Sequence, residues 1–332
     1  MLNNIYKYFY DDIAKPIKQE KKNITIEYNL DFFSFGKLNK NKYFYVIKRS
    51  PGAGMFSNLT FVMNHLLIAH NHNLIPVIDM ENFPTIYNEK KKIDGTYNSW
   101  EYFFNPVSKY TLDEVYKSKN VFITSNRFLQ IFTHNIYDQK FKQIRNKINI
   151  KNNLLKKINY FKNKHFKNKK VLGIHYRGTS YKTSANHPMP PTKIQMKNLI
   201  DEELKNKQYN KIFLATEDLE IFNFLRSIFK KKLIFLNNFR SKHDNAFKIY
   251  PRKKHRYLLG EEIIFESILL SHSNKFIFVQ TNVSNFVRMI NTKIKIRSID
   301  NGLNSKNEYF AKYYWFIKNL LPETLGGFKK NI

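Results

Sequence analysis

From Val171 onward, short apolar runs alternate with amphipathic stretches, and this alternation constrains the fold more than any other feature of the chain. Strands are expected at 171–176 (VLGIHY), 211–215 (KIFLA), 233–236, 275–279 (KFIFV) and 295–298. Helices are expected from about Thr192, over 218–229, over 261–271 and from Ser284. Runs this short and this apolar suit burial on both faces, and helical connections let successive strands lie parallel. The pattern predicts a doubly wound parallel sheet, which binds its ligands beyond the carboxyl ends of its strands.

The residues that follow each strand are therefore the candidate site. The first strand runs into His175, Tyr176, Arg177, Gly178, Thr179 and Ser180. Arg177 offers a planar, permanently charged fork of donors suited to phosphate or carboxylate oxygens, Gly178 allows close backbone approach, and Thr179 and Ser180 add hydroxyls. An ion pair at a strand end would read the same way, so both meanings stand. KIFLA is followed by Thr216, Glu217 and Asp218, and KFIFV by Gln280, Thr281 and Asn282, with Ser284, Asn285 and Arg288 beyond. Thr281 and Ser284 can cap a helix whose N-terminus faces a phosphate, and Asp218 can serve a ligand or only its own helix. Glu266 stands among Ile263, Ile264, Phe265, Ile268, Leu269 and Leu270. A carboxylate buried there needs a partner, and it can accept hydrogen bonds from a base or ribose.

The first half of the chain carries one βαβ pattern: a strand at 42–48 (KYFYVIK), the glycine loop SPGAGMFSN, an amphipathic helix over 59–72 and a strand at 74–79 (LIPVID). Gly52 and Gly54 favour a tight loop, and Ser57 and Asn58 are suited to cap the helix, so amides at its start could face an anion. A plain strand-to-helix turn accounts for the same residues. A further strand is expected at 121–124 and a long lysine-rich helix from Tyr137 to about Asn163. A boundary near residues 166–170 then divides the chain into domains 1–168 and 169–332.

With 332 residues, 42% of them hydrophobic, the chain can bury the cores of two domains. Its formal charge of +31 comes mostly from lysines scattered among asparagines, not from one basic tract. That distribution reads first as a solvated surface, next as suited to an anionic membrane or a nucleotide-bearing substrate, and last as nucleic-acid binding. No specific nucleic-acid partner is expected. The absence of cysteine excludes disulfides, thiolate metal sites and a cysteine nucleophile. Ile5, Tyr6, Phe9 and Ile13 form an amphipathic pattern near the start without the continuous apolar run of a signal peptide. No run is long enough for a transmembrane helix, so a cytoplasmic protein is expected, with peripheral contact to the inner membrane open.

These motifs, in this order, resemble the fucosyltransferase superfamily that includes the α1,6-fucosyltransferases of N-glycan cores and of rhizobial Nod factors and the protein O-fucosyltransferases. HYRGTS at 175–180 is similar to the family motif whose first arginine grips the diphosphate of GDP-fucose, the place of Arg177. ATED at 215–218 resembles the second block, and GEEIIFESILLS at 260–271 the block whose acidic residue contacts the nucleotide, here Glu266. QTNVSNFVR at 280–288 resembles the phosphate loop, placing Thr281, Ser284 and Asn285 near the donor. GAGMFSN at 52–58 looks like the glycine loop of the first domain, which brings Gly54, Phe56, Ser57 and Asn58 into the nucleotide-sugar set. YNSWEYFFNPVS at 97–108 is similar to a tryptophan-containing segment. Three positions depart from the family: Ser180 stands for an aspartate, Gly178 for the second arginine of the α1,6 enzymes, and no carboxylate lies between Ser180 and His187.

The resemblance implies a GT-B-like α/β fold, two Rossmann-like domains with parallel sheets facing a cleft, the first on the acceptor side and the second holding the nucleotide sugar. It implies an inverting, metal-independent transfer of fucose or a related sugar from a GDP-sugar, with no cofactor. The acceptor would be a glycan or lipid-linked glycan, and the lysine- and asparagine-rich composition points to bacterial surface polysaccharide. Arg177 would stabilise the leaving diphosphate. His187, then His175, are the candidate bases, since imidazole titrates in the useful range. A catalytically degenerate nucleotide- or glycan-binding protein and, behind it, an RNA-binding protein are the alternatives.

Overall fold

The computed structural model describes residues 24, 27, 28, 30–50, 54–124, 133–205 and 208–330. The amphipathic pattern at residues 5–13 and Gly52 lie outside these. Contacts divide the chain into two units, Met1–Leu154 with Arg256–Gly260, and Leu155–His255 with Glu261–Ile332. The division falls ahead of the expected 168. Its cause is the helix before that point: Lys157 pairs with Glu261 at 2.6 Å, and the Phe161 ring meets Phe265 edge-on at 5.9 Å.

The first unit holds strands β1 (Leu30–Phe33), β2 (Phe44–Ile47), β3 (Ile75–Ile78) and β4 (Val121–Thr124), in the order β1-β4-β2-β3. β2 runs parallel to β3 and β4, and β1 closes the edge antiparallel to β4. Phe44, Val46, Val77, Val115, Val121 and Ile123 form a core cluster on this sheet. Helix α1 (Met55–Asn71) starts earlier than residue 59 because Gly54, not Ser57 or Asn58, is its N-cap. The Asn58 side-chain Oδ1 instead accepts the Ser50 N–H at 2.8 Å, and the Tyr87 hydroxyl accepts the Met55 N–H at 3.0 Å. A short α2 (Leu112–Val115) precedes β4. In place of one long lysine-rich helix there are α3 (Lys142–Arg145) and α4 (Asn152–His165), the break held by Lys147 and Ile148 turn bonds and the Arg145 side chain on the Ile136 carbonyl.

The second unit is the expected doubly wound sheet. Strands β5 (Val171–Tyr176), β6 (Lys211–Thr216), β7 (Leu233–Ile234), β8 (Lys275–Val279) and β9 (Lys295–Ile299) lie in the order β7-β6-β5-β8-β9, all parallel. They alternate with α5 (Lys193–Lys205), α6 (Leu219–Phe229), α7 (His255–Ser271) and α8 (Asn282–Ile290). A helix that the sequence reading did not include, α9 (Glu308–Leu320), follows β9. Leu172, Ile174, Leu214, Ile277 and Leu225 are buried in its core; sequestering each such side chain contributes about 1.5 to 3 kcal/mol. β5 sits where the winding reverses, with β6 on one side and β8 on the other, and ligands of such sheets bind at that point. Among the described residues no helix is long and apolar enough to cross a membrane.

Candidate active site

The loop after β5 is organised around a carboxylate. Oε1 of Glu217, on the loop after β6, accepts the Gly178 N–H at 2.9 Å, the Thr179 N–H at 3.1 Å and the Thr179 hydroxyl at 3.1 Å. The same oxygen lies 3.6 Å from Nη1 of Arg177. Arg177 also donates through Nη2 to the Ser180 hydroxyl at 3.0 Å and stacks its guanidinium 5.6 Å from the centre of the Tyr181 ring. Its side chain is 35% exposed, so part of the charged fork faces solvent. The donors expected to face a ligand are thus gathered in one place, but those of Gly178 and Thr179 are turned to Glu217.

Gly178 is required by packing. A Cβ there would collide with the Asp218 carboxylate and the Tyr176 ring. Neither gives way easily. Asp218 caps α6 by accepting the Glu220 and Ile221 amides and pairs with Lys182 at 2.8 Å, while buried Tyr176 donates to the Pro191 carbonyl at 3.0 Å. The second arginine of the resembling family cannot stand here, because the chain passes too close to its neighbours.

The two histidines differ. His175 is enclosed within β5, and burial, assisted by Arg177, lowers its pKa to about 4 against the opposing pull of Glu217. It is 3% exposed and neutral at pH 7. His187 is exposed; its Nδ1 faces the Ala185 carbonyl at 2.8 Å, and since a carbonyl only accepts, Nδ1 is the donor of that bond. Its ring packs edge-on against Tyr181 at 4.9 Å, which places it one aromatic ring away from Arg177.

After β8, Thr281 and Ser284 form a reciprocal capping box at the start of α8: Thr281 Oγ1 accepts the Ser284 N–H at 3.1 Å and Ser284 Oγ accepts the Thr281 N–H at 3.0 Å. Ser284 also donates to the Thr281 carbonyl, and buried Asn285 accepts from Gln280 at 2.7 Å. These side chains are spent on holding the helix start.

Glu266 is the buried carboxyl that the sequence singles out. It is 5% exposed on α7, and burial raises its pKa to about 8, with Arg240 and the Asn238 side chain pulling the other way. Arg240 Nη2 is 3.9 Å from it, anchored on the Leu236 carbonyl and laid over the Phe222 ring at 4.0 Å. Oε1 of Glu266, Nε of Arg240 and Nδ2 of Asn238 are all enclosed without a well-formed hydrogen bond. Three orphaned polar atoms on one strand-end loop and its facing helix are costly unless something pairs with them. Sequence reading missed Asn238, Arg240, Tyr181 and Lys182. The NNFR stretch following the β7 region was the one signal available for the first two.

Gly54, Phe56, Ser57 and Asn58 all belong to the first unit. Gly54 caps α1 with open space around its α-carbon, Phe56 is in the core, Ser57 Oγ lies 3.2 Å from Ser50 Oγ, and Asn58 ties Ser50 to the Gly54 carbonyl. They tie Ser50 to the first turn of α1.

No family model and no curated protein matches the sequence. Solved structures do. NodZ α1,6-fucosyltransferase soaked with GDP-fucose aligns over 78% of this chain and 96% of its own, at 13% identity and a TM-score of 0.52. NodZ co-crystallised with GDP covers 79% and 96% at 12% identity, TM-score 0.53. The selenomethionine form of NodZ from Bradyrhizobium covers 79% and 96% at 14% identity, TM-score 0.53. The chain has the GT-B-like α/β fold of these fucosyltransferases.

Proposed function

We propose that the protein is a glycosyltransferase that moves fucose or a related sugar from a GDP-sugar to a glycan acceptor. One observation carries this reading: at the carboxyl end of the central strand, half-exposed Arg177 stands beside three donors that already hold a carboxylate oxygen. It is supported by the position of β5 at the reversal of the winding and by a fold shared with enzymes solved with GDP-fucose and GDP.

With the Gly178 and Thr179 donors engaged by Glu217, the grip on the diphosphate falls to Arg177, and Glu217 positions its guanidinium. Glu266, protonated at neutral pH, offers a carbonyl acceptor and a hydroxyl donor, and Arg240 and Asn238 add N–H donors, a set matched to a base such as guanine that presents both N–H groups and a carbonyl. In the reaction, an acceptor hydroxyl oxygen bonds to the anomeric carbon as the bond from that carbon to the diphosphate oxygen breaks. The electron pair leaves with GDP, where Arg177 stabilises it, and the hydroxyl proton passes to a base, for which His187 Nε2 is the candidate. The permanent charge of Arg177 lets the step proceed without a metal or other cofactor. The proposed acceptor is a glycan of bacterial surface polysaccharide.

The test is GDP release from a panel of GDP-sugars in the presence of glycan acceptors, with the anomeric configuration of the product read by NMR. Turnover with inversion, reduced roughly 100-fold or more in Arg177→Ala, is expected. A folded Arg177→Ala protein with full turnover overturns the mechanism, and GDP binding without turnover on any acceptor turns the reading to a degenerate binding protein.

A further inference from the structure

Helix α9 presents an apolar face to solvent. Tyr309, Phe310, Tyr313, Phe316, Ile317 and Leu320 recur at helical spacing and are all exposed, Tyr309 by 80% and Leu320 by 83%. The helix is held by its other side, where Ala311 and Trp315 are buried and Trp315 Nε1 donates to the Pro190 carbonyl at 2.8 Å. A surface helix ordinarily turns its polar face outward, and a contiguous exposed apolar stripe marks a place of interaction.

The flanks of the stripe identify what fits it. Lys312 borders the stripe with its ammonium 5.4 Å from the Tyr309 ring, and Lys318 lies further round the helix, 5.7 Å from the Tyr314 ring and 5.2 Å from that of Phe328. A second copy of this chain packed on the same face would bring two positively charged surfaces together, in a protein of net charge +31. An anionic bilayer does the opposite: it neutralises the lysines and takes tyrosine and phenylalanine rings at the depth of its headgroups. We propose that the outer face of α9 seats on an anionic phospholipid bilayer.

The seat is tied to the arginine loop. Asn304 donates to the carbonyls of Ala311 and Lys182, the His187 carbonyl accepts the Asn304 N–H at 2.8 Å, and the Lys182 ammonium lies 5.2 Å from the Trp315 ring. Docking on α9 therefore sets the 177–187 loop behind the helix, about 10 Å from the bilayer surface. That this would serve an acceptor carried on a lipid rests on the transferase reading; the docking itself does not.

Co-sedimentation of the full chain with vesicles, in the absence of nucleotide, tests it. The protein is expected to bind vesicles containing roughly a third phosphatidylglycerol and not pure phosphatidylcholine. Phe316→Ser/Leu320→Ser and Lys312→Gln/Lys318→Gln should each bind roughly tenfold more weakly. Lys231→Gln/Lys232→Gln, which removes the same charge from another exposed turn, should bind like the parent protein. Undiminished binding by Phe316→Ser/Leu320→Ser, or equal losses in both lysine pairs, overturns the proposal. So does light scattering that finds a dimer which Phe316→Ser/Leu320→Ser converts to a monomer, since the face then belongs to a second copy. Nucleotide binding enters none of these outcomes, so failure here leaves the transferase reading untouched, and the reverse.

Discussion

Thr179 donates to Glu217 twice, from its amide N–H and from its hydroxyl, each at 3.1 Å to the same carboxylate oxygen. With the Gly178 amide at 2.9 Å, three donors meet on Oε1, and Arg177 stands 3.6 Å away. The loop after β5 is an anion-binding turn that the chain fills with its own side chain. Glu217 thereby fixes where Arg177 can point.

Glu217→Ala should therefore have two effects. Three partly solvated hydrogen bonds vanish, which costs about 1 to 2 kcal/mol of stability, readable as a shift in the urea midpoint. GDP affinity should fall as well, because Arg177 loses the partner that orients it. A variant with unchanged midpoint and unchanged affinity would remove Glu217 from the account.

Gly178→Ala is the smallest change with a large expected cost. The added methyl meets the Asp218 carboxylate and the Tyr176 ring, both fixed by other bonds. Overpacking of this kind destabilises by about 1 to 3 kcal/mol, and thermal denaturation measures it. A variant as stable as the parent would mean that the loop can shift without loss.

Glu266 links stability to pH. Its ordinary value of 4.5 is raised to about 8 by burial, so between these values the folded chain keeps a proton that the unfolded chain releases. Stability from this group is complete below pH 4.5 and declines as pH rises toward 8, by up to about 1.4 kcal/mol per pH unit. His65 and His175, lowered by burial to about 3 and about 4, act in the opposite sense, losing stability as pH falls below 6.5. The clean window is pH 7 to 8. There the urea midpoint of the parent should fall with pH, and that of Glu266→Gln should stay level; parallel slopes would place the proton elsewhere.

Thr281→Ala tests the capping box. The Ser284 N–H loses the hydroxyl that accepts it, while the backbone N–H of residue 281 still donates to the Ser284 hydroxyl, and the expected cost is about 1 kcal/mol. Equal stability would show that the first turn of α8 draws its order from elsewhere.

The second unit was legible because the strands at its centre, β5, β6 and β8, are buried and mostly apolar and its helices begin at recognisable polar residues such as Asp218 and Thr281. β1 was not, since LDFF is four residues of mixed burial at an antiparallel edge. α9 carries helical apolar spacing over 309–320 that the sequence reading passed over, and the spacing alone does not tell that this stripe faces outward. At the site, sequence reading found Arg177, Glu217 and Glu266 but treated Gly178 and Thr179 as donors to a ligand. It could not see that Glu217, 38 and 39 residues further on, returns to satisfy them. Arg240 was missed because only the close approach of the loop after β7 to α7 gives it meaning.

The proposed grip of Arg177 on a nucleotide diphosphate is tested most directly by titration calorimetry with GDP, UDP and CMP. Selective binding of GDP by the parent protein is expected, with loss of that binding in a folded Arg177→Ala variant. Equal affinity of the two proteins for GDP, or no binding of any of the three nucleotides by the parent, would contradict it.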